Sequence, residues 1–574
     1  METVTLTIDG QRIEVPKGTT ILKAARLAGI EIPTLCDHPD QAVKAVCRVC
    51  IVEIQGQRTF QAACAYPVAE GMVVKTNTPA IREARKLIVE LILSRHPQDC
   101  LKCEKNLHCE LQRLAEGLGI REVRFDRVQK EFPEDHSTPS IVRDPSKCIL
   151  CRRCVYTCHE VQGVGVLYPI NRGKDTIIAP AMDGDLAELA CVLCGQCTLV
   201  CPTGAITERD DTAKVWAAIA DPKKHVVVQT APATRATLGE EMGLPAGTLV
   251  TGKLVAALRR LGFDRVFDTD FTADLTILEE GTELIERIKT GGKLPLLTSC
   301  SPGWIKYIEH FYPELLPHLS TCKSPQQMFG ALAKSYYAEK AGISPKDIFV
   351  VSIMPCTAKK FECQRPEMKD SGYQDVDVVL TSRELGRMMR EAGIAFENLP
   401  EEEYDLPLGI STGAAAIFGA TGGVMEAALR TAYEILTGKS LENIELVAVR
   451  GMESIKEATI PVGDLKVKVA VAHGLANAGK LMEKLAKGEA DYHFIEVMCC
   501  PGGCIGGGGQ PIGTDNAIRK LRMDAIYRED QRMPLRKSHE NPVLKQLYEE
   551  YLGHPLGEKS HHLLHTEYTK RSRY

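Results

Sequence analysis

The sequence lacks the features that mark membrane, secreted and nucleic-acid-binding proteins. None of its apolar runs approaches the ~20 residues that span a bilayer. The first residues, METVTLTIDGQRIEV, show neither a charged region before an apolar core nor a twin-arginine signal. No strongly basic stretch suggests nucleic acid, and the net charge of −5 says little about partners. We therefore expect a cytoplasmic protein with no membrane or nucleic-acid partner, and 574 residues suit three or four domains.

A nucleotide-binding loop is also missing from the pattern. No convincing G-x-G-x-x-G follows a predicted strand, and the glycine run 506–509 belongs to a cysteine-containing loop. Chemistry that uses NAD(H) or a flavin would therefore need separate subunits.

Cysteine, in contrast, is abundant, and its spacing excludes a disulfide framework. Fifteen of the 22 cysteines lie in the first 201 residues, in C-x2-C groups that are too close for mutual disulfides and right for metal clusters. Two runs of C-x2-C-x2-C-x3-C follow the bacterial ferredoxin pattern, in which three thiolates hold one [4Fe–4S] cube and the fourth reaches across to the other. These eight residues are Cys148, Cys151, Cys154, Cys158, Cys191, Cys194, Cys197 and Cys201.

The N-terminal segment predicts a [2Fe–2S] domain. Val4, Leu6 and Ile8 alternate before a turn at 9–10, and a helix is expected over 21–27. The order suits the β-grasp shape of plant-type ferredoxins, although the ligand spacing differs from theirs. The four ligands would be Cys36, Cys47, Cys50 and Cys64.

A third kind of site mixes histidine with cysteine. An amphipathic helix with Ile81, Ala84, Leu87, Ile88 and Leu91 on one face is predicted to lead into H-x3-C-x2-C-x5-C. A surface histidine after a helix end is common, but three cysteines here would otherwise lack a fourth ligand. We therefore predict a [4Fe–4S] cluster whose imidazole ligand raises its potential. Its ligands would be His96, Cys100, Cys103 and Cys109.

From about residue 222 the pattern changes to alternating strands and helices, which predicts parallel sheets covered on both faces. Strands are expected at 225–228, 294–297, 348–353, 446–449, 467–472 and 494–497.

Three of these strands run into cysteine-containing loops, which begin Thr-Ser-Cys-Ser-Pro at 298, Met-Pro-Cys-Thr-Ala-Lys-Lys at 354 and Glu-Val-Met-Cys-Cys-Pro-Gly-Gly-Cys at 496. Cysteines at strand ends in open α/β sheets can meet in one crevice. A single one would be a buried packing residue, but three such loops, two of them rich in Gly or Pro, favour a cofactor site.

These three loops resemble the signature motifs of [FeFe]-hydrogenases, and the whole chain is similar to the multi-cluster clostridial type. The resemblance implies reversible formation of H₂ from 2H⁺ and 2e⁻ at an H-cluster, a [4Fe–4S] cube joined to a two-iron unit with CO, cyanide and a dithiolate bridge. It implies one [2Fe–2S] and three further [4Fe–4S] clusters that relay electrons from ferredoxin or a similar carrier. It also implies dedicated maturation proteins that supply the two-iron unit.

The resemblance divides the chain into α+β ferredoxin-like modules followed by a large α/β domain with two parallel-sheet lobes. We expect a [2Fe–2S] domain over 1–79, a His-ligated module over 80–120, a two-cluster domain over 138–209, an H-cluster domain over 222–514 and a small-subunit-like extension over 515–574.

The same resemblance assigns roles around the H-cluster. Cys356, Cys500 and Cys504 match cube ligands, and Cys504 matches the bridge to the two-iron unit. Lys359 matches a cyanide-binding lysine, which is reasonable for an ammonium beside an anion. The residues that match packing groups and the proton route are Met354, Met498, Glu283, Ser320, Glu280, Cys300 and Arg287.

The first motif departs from the family, which usually has two cysteines where this chain has Cys300 and Ser301. The first cysteine of the family pair relays protons and the second binds the cube. Three arrangements are open: Cys300 takes the ligand role, Ser301 binds through oxygen, or the additional thiol of Cys499 compensates. Because iron–sulfur sites favour thiolate, we predict Cys300 as a metal ligand, with Ser301 or water completing the relay.

Two alternative functions remain at this stage. The Ser301 departure would suit a sensor or scaffold without turnover, whereas the relay carboxylates and Lys359 argue for catalysis. The N-terminal clusters would also suit a hydrogenase subunit of an NADH-linked bifurcating complex.

Overall fold

A computed structural model of the chain describes residues 2–128, 132–441, 443–463 and 465–573. Met1 and Tyr574, the outermost residues of the first and last predicted domains, lie outside the described residues. Among the described residues, no helix is both long and apolar enough to cross a membrane.

The N-terminal domain is a five-stranded sheet with one helix against it. The strands are β1 (Thr3–Ile8), β2 (Gln11–Pro16), β3 (Ile51–Ile54), β4 (Gln61–Ala62) and β5 (Val73–Lys75), in the order β2-β1-β5-β3-β4. The predicted hairpin is confirmed, because β1 and β2 pair antiparallel from Thr3–Pro16 to Ile8–Gln11. The predicted helix is confirmed as α1 (Ile21–Leu27), and the Thr20 side chain caps its N-terminus.

The helix after this domain buries a different face from the predicted one. In α2 (Pro79–Leu93), Ile81 is buried, but Leu87 and Leu91 are 41% and 45% exposed. Arg85 and Glu90 are buried instead, because Arg85 donates to the carbonyls of residues 49 and 51 and Glu90 pairs with an arginine at 124. Polar contacts that the apolar pattern could not indicate thus set the orientation of the helix.

The following segment is built from short elements around loops. They are α3 (Glu110–Gly117), β6 (Ile141–Arg143), α4 (Arg153–Tyr156), β7 (Tyr168–Ile170), β8 (Ile177–Ala179), α5 (Gln196–Val200) and β9 (Ile206–Glu208). β6 pairs antiparallel with β9, and β7 with β8. The two small ribbons leave most of the backbone free to wrap around cysteine side chains.

Two four-stranded sheets form the large domain. The first has the order β11-β10-β13-β14 and is parallel throughout, and the second has the order β12-β17-β16-β15. The strands are β10 (His225–Thr230), β11 (Arg265–Asp268), β12 (Leu296–Leu297), β13 (Ile348–Ile353), β14 (Val378–Leu380), β15 (Ile455–Val462), β16 (Leu465–His473) and β17 (Phe494–Met498). Two parallel-strand lobes are therefore confirmed, with β15 as an antiparallel edge.

Helices cover both sheets and separate them. They are α6 (Thr212–Ala220), α7 (Leu238–Glu241), α8 (Thr251–Leu261), α9 (Thr269–Thr290), α10 (Pro302–Phe311), α11 (Pro325–Leu332), α12 (Ala338–Ala341), α13 (Ala358–Glu362), α14 (Ser382–Glu391), α15 (Gly413–Ala416), α16 (Gly423–Thr437) and α17 (Leu475–Ala486). The longest, α9, is buried through most of its length and contacts α11, α15 and α16. It thus passes between the two lobes.

One predicted strand is wrong. Residues 446–449 contain a short 3₁₀ helix, Val447–Val449, and the edge strand lies further on, at β15. Val447 is 71% exposed, so this apolar run is not part of a buried strand. The edge strand itself alternates polar and apolar residues and was not predicted.

The C-terminal segment wraps around the large domain. It contains α18 (Asn516–Arg532), α19 (Pro542–Leu547) and α20 (Glu558–Leu564). His565 forms a β-bridge with Cys322, and three side chains of this segment hydrogen-bond to the buried Glu279 carboxylate, among them Tyr548 at 2.5 Å. The segment therefore stabilises α9 from outside.

Candidate cluster sites and the central cavity

The four N-terminal cysteines of the predicted [2Fe–2S] site come together in two touching pairs. A hydrogen bond from Cys47 lowers the pKa of Cys36 to about 6, and one from Cys64 lowers that of Cys50 to about 7. The thiol of Cys36 also acts electrostatically on Cys50 and Cys64. Four thiols that share protons in one pocket suit a metal site with four thiolate ligands.

His96 has the geometry of a ligand. Its Nδ1 lies 2.6 Å from the carbonyl oxygen of Pro97, which makes Nδ1 the donor, whereas Nε2 is buried without a hydrogen-bond partner among the described residues. Burial also lowers the pKa of the ring, which favours the neutral form. A neutral imidazole held through one nitrogen, with the other left open, is the usual state of a metal-bound histidine.

The three cysteines that follow His96 are mutually close. Cys100 and Cys103 both act electrostatically on Cys109, whose pKa burial raises. Cys103 also lies against Gly204, where an added Cβ would stand 2.8 Å from its sulfur. The predicted third site therefore borders the two-cluster region.

The two ferredoxin runs exchange their fourth cysteines in space. One pocket is lined by Cys148, Cys151, Cys154 and Cys201, and a second by Cys158, Cys191, Cys194 and Cys197. Each set thus takes three ligands from one run and one from the other, as the sequence pattern predicts. Burial raises the pKa of Cys148 and Cys191 to about 11 and that of Cys158 to about 12, so bare thiols would stay protonated here. A bound metal would hold them as thiolates.

An apolar cavity lies where three loops of the large domain meet. The space between its lining atoms, including the part open to solvent, is about 800 Å³. The three loops follow β12, β13 and β17, so the carboxyl ends of strands from both lobes point at it. Its lining includes Cys194, Cys300, Ser301, Met354, Cys356, Lys359, Met498, Cys499, Cys500 and Cys504.

The β12 and β17 loops are held in register by a direct pairing. Leu296 and Leu297 pair parallel with Phe494 and Ile495. Beyond the strands, the hydroxyl of Thr298 accepts a hydrogen bond from the backbone N–H of Val497 at 3.1 Å. Residues 300–301 and 499–500 therefore leave the sheet side by side.

Lys359 projects into the cavity from α13. Its ammonium donates to the Glu362 carboxylate at 2.8 Å and to the carbonyl of Cys300 at 3.2 Å. The two contacts fix the charge at the wall of an otherwise apolar space. An anion in the cavity would find its nearest cation there.

A chain of polar side chains leads from Cys300 to the surface. Ser320 donates to the Glu283 carboxylate at 2.9 Å, and Arg287 pairs with the same carboxylate at 2.6 Å, with 15% of the arginine side chain exposed. Burial, and then the charge of Glu283, raises the pKa of Glu280 to about 8. Burial and Glu280 in turn raise the pKa of Cys300 well above its usual value. The structure thus brings Glu283, Ser320, Glu280 and Cys300 together, with Arg287 beside Glu283 at the outer end.

Several contacts around the cavity were not predicted from the sequence. Gln196 donates to the carbonyl of Gly506 at 2.8 Å, and Thr357 donates to that of Leu193 at 2.7 Å, which ties the two-cluster region to two cavity loops. Arg383 on α14 binds the Glu208 carboxylate and the carbonyl of Gly508 at 3.0 Å. These polar contacts join residues far apart in sequence and follow no spacing pattern, so the sequence alone could not find them.

Five known families match successive segments of the chain. Residues 1–79 match a "2Fe-2S iron-sulfur cluster binding domain" and residues 85–124 match the "NADH-ubiquinone oxidoreductase-G iron-sulfur binding region". Residues 138–207 match the "NADH-quinone oxidoreductase subunit 3, ferredoxin-like domain". Residues 224–508 match "Iron only hydrogenase large subunit, C-terminal domain" and residues 516–571 match "Iron hydrogenase small subunit".

Individual relatives cover the whole chain or its large domain. The chain is 53% identical over 585 residues to the "NADP-reducing hydrogenase subunit HndD" of Solidesulfovibrio fructosivorans, with full coverage of both. It is 41% identical to "Iron hydrogenase 1" of Clostridium pasteurianum, over 99% of this chain and 100% of that one. A solved structure of the [FeFe]-hydrogenase HydA1 from Chlamydomonas reinhardtii aligns with 63% of this chain and all of its own, at 46% identity and a TM-score of 0.58.

Proposed function

Because this chain belongs to the iron-only hydrogenase family and is an iron hydrogenase with N-terminal iron–sulfur domains, we propose that it interconverts protons and H₂ in the central cavity as one subunit of a larger complex. The observation that carries the site is the meeting of three cysteine loops around an apolar space with one fixed ammonium. A scaffold without turnover is not favoured, because the close relatives are hydrogenases.

Cys356, Cys500 and Cys504 would hold the cube of the H-cluster in this cavity. Once bound, the cluster supplies the metal at which electrons and protons combine. Lys359 would bind an anionic ligand of the two-iron unit, and Met354 and Met498 would pack against that unit. Both methionines are at most 3% exposed, so they help to exclude water.

Protons would reach the cavity along Glu283, Ser320, Glu280 and Cys300, with Arg287 at the mouth of the route. The hydrogen bonds between Ser320, Glu283 and Arg287 support this route. With a pKa of about 8, Glu280 is mostly protonated at neutral pH. It can therefore act as a proton donor there. Cys300 would hold the proton nearest to the cluster.

Electrons would travel through one [2Fe–2S] and three [4Fe–4S] clusters. The thiol groupings and the free Nε2 of His96 support these four sites. The ligands would be Cys36, Cys47, Cys50, Cys64, His96, Cys100, Cys103, Cys109 and the eight cysteines of the ferredoxin runs.

The electron partner is best sought among nicotinamide-linked subunits. One relative is named as a subunit of an NADP-reducing hydrogenase, and two matched segments carry the names of NADH-oxidoreductase regions. Since the chain has no nucleotide-binding motif of its own, a partner subunit would bind the nucleotide. Ferredoxin, maturation proteins and a cytoplasmic location stay predictions from the sequence.

Infrared spectroscopy on the matured chain tests the catalytic proposal. Bands from iron-bound CO and cyanide, together with H₂ evolution from reduced methyl viologen, are the expected result. A matured chain with neither the bands nor the activity would refute it. For the partner, the chain alone should reduce viologen but not NAD(P)⁺ under H₂, and NAD(P)⁺ reduction by the isolated chain would contradict the subunit proposal.

A further inference from the structure

We propose that Cys499 is the fourth thiolate ligand of the [4Fe–4S] cube in the central cavity, in place of Cys300 or Ser301. This inference rests on the proposed function, and it replaces the preference for Cys300 that the sequence suggested. It assigns a cofactor ligand to a position that the family motif does not use for one.

The cavity offers a small set of candidate thiols. Among the described residues six cysteines line it, and Cys194 already belongs to the pocket of the neighbouring cluster. Cys356 and Cys504 interact electrostatically with Cys500, which groups these three around one centre. The fourth ligand is then Cys300 or Cys499, unless a hydroxyl replaces it.

The thiol of Cys499 lies beside that of Cys500. Each thiol shifts the pKa of the other, and both line the cavity, because β17 ends at Met498 and the chain turns directly afterwards. Cys499 is 4% exposed and Cys500 is 7% exposed. Two adjacent, buried thiols therefore both face the central cavity.

Cys300 points toward other partners. Among the charged groups that act on it, Glu280 has the largest influence, ahead of Cys504 and Lys359. It also packs against the apolar core that contains Phe418 and Met425. This position beside the carboxylate chain suits a proton donor, so recruiting Cys300 to the cube would break the relay.

Ser301 is occupied in positioning Cys499. Its hydroxyl accepts a hydrogen bond from the backbone N–H of Cys499 at 3.3 Å. The parallel pairing of β12 with β17 places these two residues next to each other at the ends of neighbouring strands. The thiol of Cys499, at the end of the neighbouring strand, therefore takes the place of the thiol that the family has at position 301. The Ser301 hydroxyl helps to hold Cys499 in position.

Gly303 leaves room for the sulfur. A Cβ at this position would stand 2.6 Å from the Cys499 sulfur and 3.3 Å from its Cβ, so any larger residue would displace the side chain. Cys499 also hydrogen-bonds to Cys194, a residue of the neighbouring cluster pocket. A cube ligand at 499 would thus give electrons a short path between the two clusters.

The test uses the full chain, produced without the maturation proteins so that the cube assembles without the two-iron unit. Iron and acid-labile sulfide are counted, and the reduced clusters are examined by EPR. Cys499→Ala should lose about four iron atoms per chain, the content of one cube, and the cube's EPR signal. Cys300→Ala should keep both, as should Cys363→Ala, which removes a buried thiol away from the cavity.

Rescue distinguishes a ligand from a packing residue. The double variant Cys499→Ala/Ser301→Cys should regain the four iron atoms, whereas Cys499→Ala/Ser301→Ala should not. An unchanged circular dichroism spectrum and unfolding temperature verify that the large domain of each variant folds.

A full cube in Cys499→Ala, or loss of the cube in Cys300→Ala, would overturn the assignment of Cys499 while leaving the hydrogenase function intact. If the unmodified chain, once matured, showed neither CO and cyanide bands nor H₂ evolution, the proposed function would fail instead.

Discussion

At the scale of single residues, Glu280 shows most clearly how burial produces function. The carboxyl lies on α9 with 2% of its surface exposed, and burial raises its pKa to about 8. Below about pH 8 the Glu280 carboxyl is protonated and can donate its proton. Above that pH it is a carboxylate and has no proton to donate. We therefore expect H₂ formation to fall as the pH rises through about 8, measured with reduced methyl viologen.

Removal of this carboxyl should stop proton transfer without removing the cofactor. Glu280→Gln keeps the shape but cannot exchange a proton, so H₂ formation should fall about 100-fold or more. Glu286→Gln, an exposed position on the same helix, serves as the control and should keep full activity. Infrared bands must remain in both variants, and an active Glu280→Gln enzyme would refute the relay.

His96 should set the potential of its cluster through its charge. His96→Cys replaces a neutral ligand with a thiolate, which makes the cluster more negative and should lower its reduction potential. A redox titration followed by EPR measures the shift. His136→Cys, at an exposed histidine paired with Glu134, should leave the potential unchanged. An unshifted potential in His96→Cys would mean that another group binds the iron.

The residues that could be predicted from the sequence are those whose chemistry demands fixed spacing. The C-x2-C groups predicted the thiol sets because one cluster needs neighbouring ligands along the chain. The relation between Ser301 and Cys499 could not be predicted, since it depends on the pairing of two strands about 200 residues apart in sequence. One hydroxyl and one adjacent thiol carry no local pattern.

At the scale of elements, α14 joins the large domain to the two-cluster region. Arg383 donates to both Glu208 carboxylate oxygens, at 3.0 and 2.6 Å, and both residues are buried. Burial alone would raise the pKa of Glu208, but the charge of Arg383 holds it well below its usual range. The stability that this pair contributes is present above the unfolded-state pKa of about 4.3 and is lost as the pH falls below it.

Arg383→Met should leave the buried Glu208 carboxylate with only Arg387, at 3.2 Å, as a cationic partner among the described residues. Loss of one member of a buried pair costs about 3–5 kcal/mol, which calorimetry or chemical unfolding would measure. Arg390→Met, at a half-exposed pair on the same helix, should change stability by about 1 kcal/mol or less. Equal effects of the two substitutions would contradict a buried link between the regions.

Elements with strong apolar periodicity were predictable, and those stabilised by distant partners were not. β13 was predicted with its observed bounds because Ile348–Ile353 is apolar except for Ser352 and lies inside a sheet. β12 has two residues and is defined by its neighbour β17, so its sequence alone could not set its limits. The exposed Leu87 of α2 likewise reflects contacts of Arg85 that no periodicity shows.

At the scale of the whole molecule, the positions of the proposed cluster sites favour a branched electron route over a single line. Lys44 interacts with both Cys36 and Cys151, so the [2Fe–2S] site borders one ferredoxin-type pocket. Cys103 of the histidine-containing site lies against Gly204, close to Cys201 of the same pocket. Two inputs therefore converge before the route continues through Cys194 to the cavity.

A branched route predicts that neither outer cluster is needed by every donor. Cys64→Ala removes a [2Fe–2S] ligand, and Cys109→Ala removes a ligand of the histidine-containing cluster. Each variant should lose H₂ formation with one of two protein donors, ferredoxin or the nicotinamide-linked subunits. With the other protein donor, the same variant should keep at least half its rate. The double variant should fail with all protein donors yet still work with methyl viologen, because a small carrier can reach clusters beyond the branch. Rates with ferredoxin and with the nicotinamide-linked subunits, measured on the same preparations, decide the matter. If either single variant failed with both donors, the clusters would act in series, because electrons from each donor would then have to pass through both outer sites.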